Sequence, residues 1–134
     1  MPSMKILLIA GGWSSEREVS LTGARGMQEA LLKRGHAVTF FDLLENFDEL
    51  LETARQHDFA LINLHGSPGE DGLVQAMLEK ADCPYQGSGP SGSFLALNKA
   101  AAKQIFRMAG LPTADWEFLP VRPAEGWEPR LPWP

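Results

Sequence analysis

The sequence predicts an α/β domain in which a parallel sheet is flanked by helices. The continuous apolar run at residues 6–10 fits a strand buried on both faces, residues 37–41 fit a second strand, and residues 59–64 fit a third buried strand. The segments between these runs repeat apolar residues at helical spacing, and the connecting loops are short. Strands that alternate with helices through short loops are typical of a Rossmann-like parallel sheet with helices on both faces.

Composition limits the classes of protein that the chain can represent. Its 134 residues suffice for one domain of ordinary size but not for two. With 44% hydrophobic and 22% charged residues, most of the chain has a globular rather than a disordered composition. A net charge of -5 argues against nucleic acid or an anionic membrane as the main partner. The apolar runs are also too short for a signal sequence or a membrane span.

The chain contains a single cysteine, Cys83, so no disulfide can form within it. We therefore expect a reducing, cytoplasmic compartment. No histidine lies near Cys83 in the sequence, which favours a small buried hydrophobic residue over a nucleophile.

The first strand ends at a glycine pair, and a helix is predicted to follow. Ser15 and Glu18 have the spacing of a capping box at the start of that helix. Gly35 follows a pair of cations and is expected just beyond the helix C-terminus. The apolar face of the helix is predicted from Val19, Gly23, Met27, Ala30 and Leu31.

Asp42 closes the second strand, and a short helix is expected before the third. Asn46 and Glu49 form a second predicted cap pair. The apolar face of this short helix consists of Phe47, Leu50, Leu51 and Ala54. The third strand leads into the loop 65–72. Another helical face follows, formed by Leu73, Val74, Met77, Leu78 and Ala81.

Residues 84–87 can form a very short fourth strand, and residues 88–92 resemble a boundary loop before a helical turn at 94–97. Asn98 is expected to cap a helix over 99–109, which Gly110 ends. Alternating residues predict an exposed or edge strand at 114–119. Residues 120–134 hold five of the ten prolines, which excludes a helix or a central strand there.

Three glycine-rich loops are expected at the carboxyl ends of the strands, where open parallel sheets bind ligands. They span residues 11–16, 65–72 and 87–92. The first two lead into helix N-termini, which offer free N–H groups and a partial positive charge. This arrangement indicates a site for a small polar or anionic ligand.

A dinucleotide site is disfavoured. Gly11 and Gly12 follow the first strand, and Asp42 stands where a ribose-binding acid would lie. However, the G-x-G-x-x-G pattern is absent, and Glu16 at the mouth of the loop would repel a pyrophosphate.

The candidate site residues each have a structural and a functional interpretation. Glu16 either interacts with the helix dipole or binds a substrate ammonium. His65 is either a hydrogen-bonded structural residue or a residue of the ligand crevice. Glu70 and Asp71 suit the first turn of the following helix. Lys99 lies one helical turn from Lys103, and both could belong to a solvated helix face. The other interpretation is that Lys99 binds an anion, because a cation at a helix N-terminus is unfavourable without one.

Four segments together resemble the D-alanine–D-alanine ligases, which belong to the ATP-grasp family. They are GGWSSEREVSL at 11–21, HGSPGEDG at 65–72 followed by Gln75, PYQGSG at 84–89, and an N-K-x-x-x-K…G-L-P-T pattern over 98–113. The resemblance spans residues 5–119. It implies a pre-ATP-grasp N-terminal substrate domain at 1–95, the first helix and strand of the central ATP-grasp domain at 96–119, and a Pro-rich linker or truncated end at 120–134.

The resemblance also implies an activity. These ligases join two D-alanines for peptidoglycan, using ATP and Mg²⁺. The first carboxylate is phosphorylated, and the second amine attacks the acyl phosphate. The Mg²⁺ ligands and the adenine pocket lie in parts of the family that this chain does not match, so we expect the isolated chain to be inactive and to supply no metal ligand. A homodimer in the cytoplasm is the expected form.

Residue roles follow from the matching positions. Glu16 and His65 are the expected catalytic residues: Glu16 would orient the first D-alanine through its ammonium, and His65 would contact the same substrate near its reacting carboxyl. Lys99 would bind a nucleotide phosphate. The other substrate-binding positions that the resemblance implies are Ser20, Gly66 and Glu70.

Other interpretations stay open at this point. The chain could be a stand-alone module that binds a small amino acid or regulates a ligase, with its Pro-rich end as a partner site. A ligase that uses D-lactate or D-serine as second substrate is also compatible. Asn98 stands where the family usually has Asp. Both residues cap helices well, so the expected structural effect is small, while the effect on phosphate binding is open.

Overall fold

The structure is a computed structural model that describes residues 2–131. The chain divides into two compact units, Met1–Leu97 and Asn98–Pro134, which we describe separately. This division reflects only how the residues pack, so the domain boundaries expected from the sequence stay predictions. In the part of the chain that is described, no helix has the length and apolar character needed to cross a membrane.

A three-stranded parallel sheet forms the centre of the first unit. Its strands are β1 (Lys5–Ala10), β2 (Ala37–Asp42) and β3 (Phe59–Asn63), in the order β2-β1-β3. Ala10 pairs with Asp42 on one side and with Asn63 on the other. The carboxyl ends of all three strands therefore lie at one level along the same edge. The predicted α/β fold with a parallel sheet is confirmed.

Helices cover both faces of the sheet. They are α1 (Arg17–Lys33), α2 (Leu43–Asn46), α3 (Leu50–Ala54), α4 (Leu73–Lys80) and α5 (Pro90–Leu97), with a 3₁₀ turn at Phe47–Glu49. Leu8 of β1 packs with Ala24 of α1 on one face. Leu7 packs on the other, in a core that includes Leu43, Leu50, Val74, Leu78 and the buried Cys83. Alternation of neighbouring β1 side chains between two cores is the consequence of the pleat.

Neither predicted cap pair is formed. Glu16 is the N-cap residue of α1 and makes no side-chain capping bond, and the Ser14 hydroxyl accepts from the Glu16 N–H at 3.2 Å. The capping box of Ser15 and Glu18 is therefore wrong. At the second helix, Asp42 caps α2 by accepting from the Leu44 N–H at 3.1 Å. This helix begins earlier than Asn46 because the aspartate that ends β2 already satisfies its first turn.

The buried face of α1 differs from the predicted one. Val19 is 63% exposed and Met27 38% exposed, whereas Ser20 and Ala24 are fully buried. The apolar pattern placed the face about one residue away from its true position. The buried hydroxyl of Ser20 finds hydrogen-bond partners at the sheet edge, so a polar residue occupies the buried side.

The fourth strand is reduced to a single bridge between Ala60 and Tyr85. The Ala60 N–H donates to Pro84 O at 2.8 Å. Further along, the Gln86 side chain replaces the backbone: its Oε1 accepts from the Ile62 N–H at 3.0 Å and its Nε2 donates to Ile62 O at 2.6 Å. A regular hydrogen-bond ladder with β3 does not form, because Pro84 has no N–H to donate and the Gln86 side chain occupies the backbone groups of Ile62.

The second unit contains α6 (Lys99–Met108), which Asn98 caps through a 3.1 Å bond from the Ala101 N–H. Gly110 follows with a φ of +71°, as its predicted position beyond the helix requires. The predicted strand at 114–119 is absent. Instead, Lys103 Nζ donates to Ala114 O at 2.8 Å, and the Arg107 guanidinium lies 4.2 Å from the Trp116 ring centroid. Residues 98–131 provide no strand with which this segment could pair.

Candidate functional site

Two loops meet at the carboxyl edge of the sheet. The first loop (residues 11–16) follows β1, and the second loop (residues 65–72) follows β3, its neighbour. A Cβ placed on Gly66 would lie 3.4 Å from Ser14 Cβ and 3.9 Å from Glu16 Oε2. The Glu16 carboxylate therefore stands beside the backbone of Gly66. The structure brings these two predicted site residues together.

Glu16 presents its carboxylate to solvent at the start of α1. Across residues 2–131 its side chain makes no hydrogen bond or ion pair; only its backbone N–H is engaged, with Ser14. A carboxylate without an intramolecular partner at a loop edge is available to bind a cation. Its position at the start of α1 is also compatible with a favourable interaction with the helix dipole, so both interpretations of Glu16 stay predictions.

Ser20 supports the first loop from below. Its fully buried hydroxyl accepts from the Gly11 N–H at 2.8 Å and donates to Asn63 O. Asn63 Nδ2 returns a bond to Ser20 O at 2.7 Å. These bonds occupy the hydroxyl, so Ser20 ties the ends of β1 and β3 together beneath the first loop.

Arg17 and Asp42 form an ion pair on the other side of the first loop. Two parallel bonds of 2.7 Å join the guanidinium to the carboxylate, and Arg17 Nη1 also lies 3.3 Å from Gly12 O. The bonded guanidinium of Arg17 lowers the pKa of Asp42 below its ordinary value, and the bonded carboxylate raises the pKa of Arg17. Sequence reasoning missed this pair. The available signal was an acid at the carboxyl end of β2 and a base at the start of the helix that follows the neighbouring strand β1.

The second loop holds His65, Gly66 and Glu70 in different environments. His65 is half-buried and forms no side-chain hydrogen bond within the described range. Gly66 has a φ of +65°, and its carbonyl accepts from the Glu70 N–H at 2.8 Å. The Glu70 side chain is exposed. The loop thus forms a tight turn that leaves an imidazole and a carboxylate on its surface.

Neither acid of the second loop lies in the first turn of α4, contrary to one interpretation of the sequence. The helix begins at Leu73, after Gly72. Asp71 accepts from the Leu73 N–H at 3.0 Å and from the Ser67 hydroxyl, so it organises the loop ahead of the helix. A backbone in the left-handed conformation at Gly72 (φ +91°) ends the loop before the helix begins.

Gln75 fixes the second loop from inside the protein. Only 6% of it is exposed, and its Nε2 donates to Gly69 O at 2.6 Å. Its Oε1 is the buried side-chain oxygen that lacks a partner among the described residues. Gln75 followed the HGSPGEDG motif in the sequence, but its anchoring role required the structure.

The third predicted loop (residues 87–92) reaches the second loop. A Cβ on Gly72 would overlap Pro90 O and lie 3.0 Å from Pro90 C. Its second half forms the first turn of α5 rather than a boundary loop. A cleft of about 320 Å³ lies here, lined by Asp71, Gly72, Pro90, Ser91, Phe94 and Leu95.

In the second unit, Lys99 lies in the first turn of α6 and is exposed. Together with Lys103, Trp116 and Phe118 it lines a cleft of about 320 Å³. Lys103 is engaged with Thr113 Oγ1 at 3.1 Å and with Ala114 O. No hydrogen bond to the Lys99 ammonium is formed in residues 2–131. Lys99 is therefore the cation of this cleft that is available to an anion.

The described residues contain no cluster of three or more His, Cys, Asp or Glu side chains that could hold a metal ion. Cys83 is buried, and desolvation raises the pKa of its thiol, which disfavours the nucleophilic thiolate.

The structure is an α/β domain with glycine loops at the carboxyl edge of a parallel sheet and an available carboxylate beside them, an arrangement typical of proteins that bind small ligands. Comparison with known proteins identifies the group to which this site is similar. The chain is 76% identical over 131 residues to the D-alanine–D-alanine ligase of Desulfovibrio desulfuricans and 68% identical over the same length to that of Nitratidesulfovibrio vulgaris. Each match covers 98% of this chain and 43% of the relative. No protein-family model matches the chain.

Solved structures agree with these relatives. The D-alanine–D-alanine ligase of Bacillus anthracis complexed with ATP superposes with a TM-score of 0.79 at 37% identity, over 92% of this chain and 43% of that one. The D-alanyl-alanine synthetase A of Vibrio cholerae gives 0.69 at 28% identity, over 89% and 41%. The chain therefore resembles the N-terminal portion of a D-alanine–D-alanine ligase and spans less than half the length of these relatives.

Proposed function

We propose that this chain provides the site for the first D-alanine in an ATP-dependent D-alanine–D-alanine ligase. The observation that carries this proposal is the available Glu16 carboxylate beside Gly66, where the first and second loops meet. A zwitterionic amino acid needs an anion for its ammonium and donors for its carboxylate. Glu16 supplies the anion, and backbone N–H groups of the glycine loops suit the carboxylate.

His65 stands next to Gly66 on the second loop and is half-buried without an intramolecular hydrogen bond in the described residues. An imidazole in that position, neutral or protonated, can donate a hydrogen bond to the substrate carboxylate. Such a bond stabilises the charge that shifts on the carboxylate oxygens during the reaction. We therefore assign His65 to the reacting carboxyl of the same substrate. Ser20 holds the first loop in place, Gly66 gives the backbone turn, and Glu70 contributes charge at the rim.

ATP fits the residues of the second unit in part. Lys99 is available, its cleft is lined by aromatic side chains, and the first turn of α6 favours an anion. When bound, ATP supplies the phosphoryl group that activates the first carboxylate. We propose Lys99 as a ligand of one of its phosphates. Mg²⁺ belongs to the proposed activity, but its ligands are not assigned to the described residues.

Formation of a peptidoglycan precursor, a cytoplasmic location and a homodimer complete the proposed function. They are supported by the similarity to D-alanine–D-alanine ligases. The choice among D-alanine, D-lactate and D-serine as second substrate is left to product analysis.

A chimeric enzyme tests the proposal. The 131 residues of this chain that match the Desulfovibrio desulfuricans ligase at 76% identity would replace the corresponding part of that enzyme. We expect ATP-dependent formation of D-alanyl-D-alanine by the chimera. Glu16→Gln should raise the KM for D-alanine by about tenfold or more, because a charged hydrogen bond contributes about 1.5–3 kcal/mol. His65→Ala should lower kcat.

The matched control is Glu29→Gln, which removes an exposed carboxylate from the same helix away from the loops. It should leave both kinetic constants unchanged. Wild-type kinetics for both Glu16→Gln and His65→Ala in an active chimera would contradict the residue roles. An inactive chimera that is folded would contradict the proposed function.

A stand-alone binding module is the second candidate. It is favoured by the fact that Glu16, Gly66 and His65 all belong to the first compact unit, Met1–Leu97. Calorimetric titration of the 134-residue chain with D-alanine, in the absence of nucleotide, tests this possibility. Binding that Glu16→Gln abolishes would support it, whereas no heat at millimolar D-alanine would exclude it.

A further inference from the structure

We propose that Arg17 and Asp42 are positioning residues: their ion pair fixes the Gly11–Gly12 backbone and withholds the Arg17 charge from Glu16, so that Glu16 can bind the substrate ammonium. This inference rests on the proposed function of Glu16. Neither residue is expected to contact the substrate. Their effect acts through the first loop.

The geometry of the pair is specific. The guanidinium of Arg17 and the carboxylate of Asp42 form two parallel bonds of 2.7 Å each, an arrangement that fixes direction as well as distance. A third contact, from Arg17 Nη1 to Gly12 O at 3.3 Å, extends the pair to the loop backbone. The Leu44 N–H also donates to Asp42 Oδ1 at 3.1 Å, so the carboxylate is held by the backbone as well as by Arg17.

The pair lies directly against the first glycine of the loop. A Cβ on Gly11 would overlap Arg17 Nη1 and lie 2.6 Å from Asp42 Oδ1. Gly11 and Gly12 have φ angles of +80° and +76°, which glycine adopts without strain. The ion pair thus closes one side of the loop, and the Ser20 hydroxyl holds the Gly11 N–H from the other.

The ion pair also neutralises the positive charge of Arg17. Arg17 follows Glu16 in the chain and is permanently charged, so without Asp42 its side chain would be free to approach the carboxylate that must bind an ammonium. The Arg17 and Asp42 side chains are only 24% and 15% exposed, so solvent screens their attraction little. Asp42 thereby neutralises Arg17 and leaves the negative charge of Glu16 uncompensated by it.

The first experiment uses the 134-residue chain without ligand. Arg17→Lys keeps the charge but loses the two-bond fork, and Asp42→Asn removes the carboxylate charge. Amide hydrogen exchange at Gly11, measured by NMR, should accelerate by about tenfold in both variants, equivalent to about 1.4 kcal/mol of local stability. The control Arg55→Lys alters the exposed pair with Glu52 and should leave Gly11 unchanged. Unchanged exchange at Gly11 in both test variants would overturn the proposal.

The second experiment separates positioning from folding, with the chimeric ligase described above. Arg17→Lys and Asp42→Asn should each raise the KM for D-alanine by about tenfold while kcat changes less than twofold. The double variant Arg17→Gln/Asp42→Asn carries no free guanidinium, so its KM should be lower than that of Asp42→Asn alone. If the ion pair only stabilised the fold, the variants would have lower melting temperatures, and the KM of the double variant would not be lower than that of Asp42→Asn.

The outcomes distinguish the two proposals. A chimera that is active with wild-type residues but insensitive to Arg17→Lys and Asp42→Asn would refute the positioning role and keep the proposed function. An inactive but folded chimera would refute the proposed function. The exchange rates at Gly11 would then decide whether the pair fixes the loop, since that measurement needs no substrate.

Discussion

Ser20 and Asn63 exchange hydrogen bonds across the carboxyl edge of the sheet. The Ser20 hydroxyl donates to Asn63 O, and Asn63 Nδ2 donates to Ser20 O at 2.7 Å. The same hydroxyl accepts from the Gly11 N–H at 2.8 Å. One side chain of α1 therefore joins the ends of β1 and β3, from which the two loops of the site depart.

Replacement of Ser20 by alanine should destabilise the first unit. It leaves the buried Gly11 N–H and Asn63 O without their partner, and each such loss costs about 1–3 kcal/mol. Urea denaturation followed by circular dichroism would measure the free energy of unfolding. Ser3→Ala is the control, because its hydroxyl bonds Gly35 O at an exposed position and should contribute less than about 0.5 kcal/mol. Equal stability of the two variants would contradict the bridging role of Ser20.

The sequence predicted the sheet because its information is local: each strand is a short apolar run, and each ends at glycine or a polar residue. The buried face of α1 was not predictable in the same way. Ser20 looks like a surface residue until its partners Gly11 and Asn63 are known, and Asn63 lies 43 positions away. Apolar Val19 is the residue that a hydrophobic pattern selects, yet it is exposed.

The candidate site likewise combines features that local sequence predicts with features that depend on distant residues. Glu16, His65 and Gly66 could be predicted as site residues because they belong to contiguous motifs, and the structure places Glu16 beside Gly66. The pairing of Arg17 with Asp42, 25 positions apart, depends on the register between β1 and β2. Short-range rules of spacing cannot select such a partner among the 17 acidic residues of the chain.

The ion pair of Arg17 and Asp42 should make stability depend on pH in the acid range. The bonded guanidinium lowers the pKa of Asp42 from its ordinary value of 3.8, while the nearby Glu45 and Glu18 further favour the charged form of Arg17. A lowered pKa in the folded state stabilises the protein above the unfolded pKa. That contribution is lost as the pH falls through the folded pKa, when Asp42 is protonated in both states.

The measurement is the free energy of unfolding of wild type and Asp42→Asn from neutral pH to below the ordinary aspartate pKa. Wild type should be the more stable at neutral pH, and the difference should shrink as Asp42 becomes protonated. Glu52→Gln, which removes an exposed pair with Arg55, should change stability at neutral pH by less than about 0.5 kcal/mol. A difference between wild type and Asp42→Asn that is constant over the whole range would disprove the linkage.

Two glycine-to-alanine substitutions should have opposite effects. A Cβ on Gly69 would overlap Leu64 Cβ and lie 3.2 Å from the Leu64 backbone, so Gly69→Ala should destabilise by about 1–3 kcal/mol. Gly26 lies inside α1 with no atom within 4 Å of such a Cβ. Gly26→Ala should therefore stabilise the chain by about 0.5–1 kcal/mol, since alanine loses less backbone entropy in a helix.

Thermal unfolding of the two glycine variants beside wild type gives the readout. The expected order of melting temperatures places Gly26→Ala above wild type and Gly69→Ala below it. The close approach of the second loop to Leu64 would be refuted if Gly69→Ala melted with wild type.

Asn98 should contribute to the stability of α6 through its side chain. Its Oδ1 accepts from the Ala101 N–H at 3.1 Å, and its carbonyl accepts from the Ala102 N–H at 2.9 Å. Asn98→Ala removes the first of these bonds and should destabilise the helix by about 1 kcal/mol. Asn98→Asp should preserve the cap and place a favourable negative charge at the helix N-terminus.

Amide exchange at Ala101, measured by NMR on the 134-residue chain, tests this cap directly. We expect about fivefold faster exchange in Asn98→Ala, because about 1 kcal/mol corresponds to that factor, and exchange at or below the wild-type rate in Asn98→Asp. Gln104→Ala alters an exposed position of the same helix and should not accelerate exchange. Faster exchange in Asn98→Asp than in Asn98→Ala would mean that the amide, rather than the acceptor oxygen, is what position 98 requires.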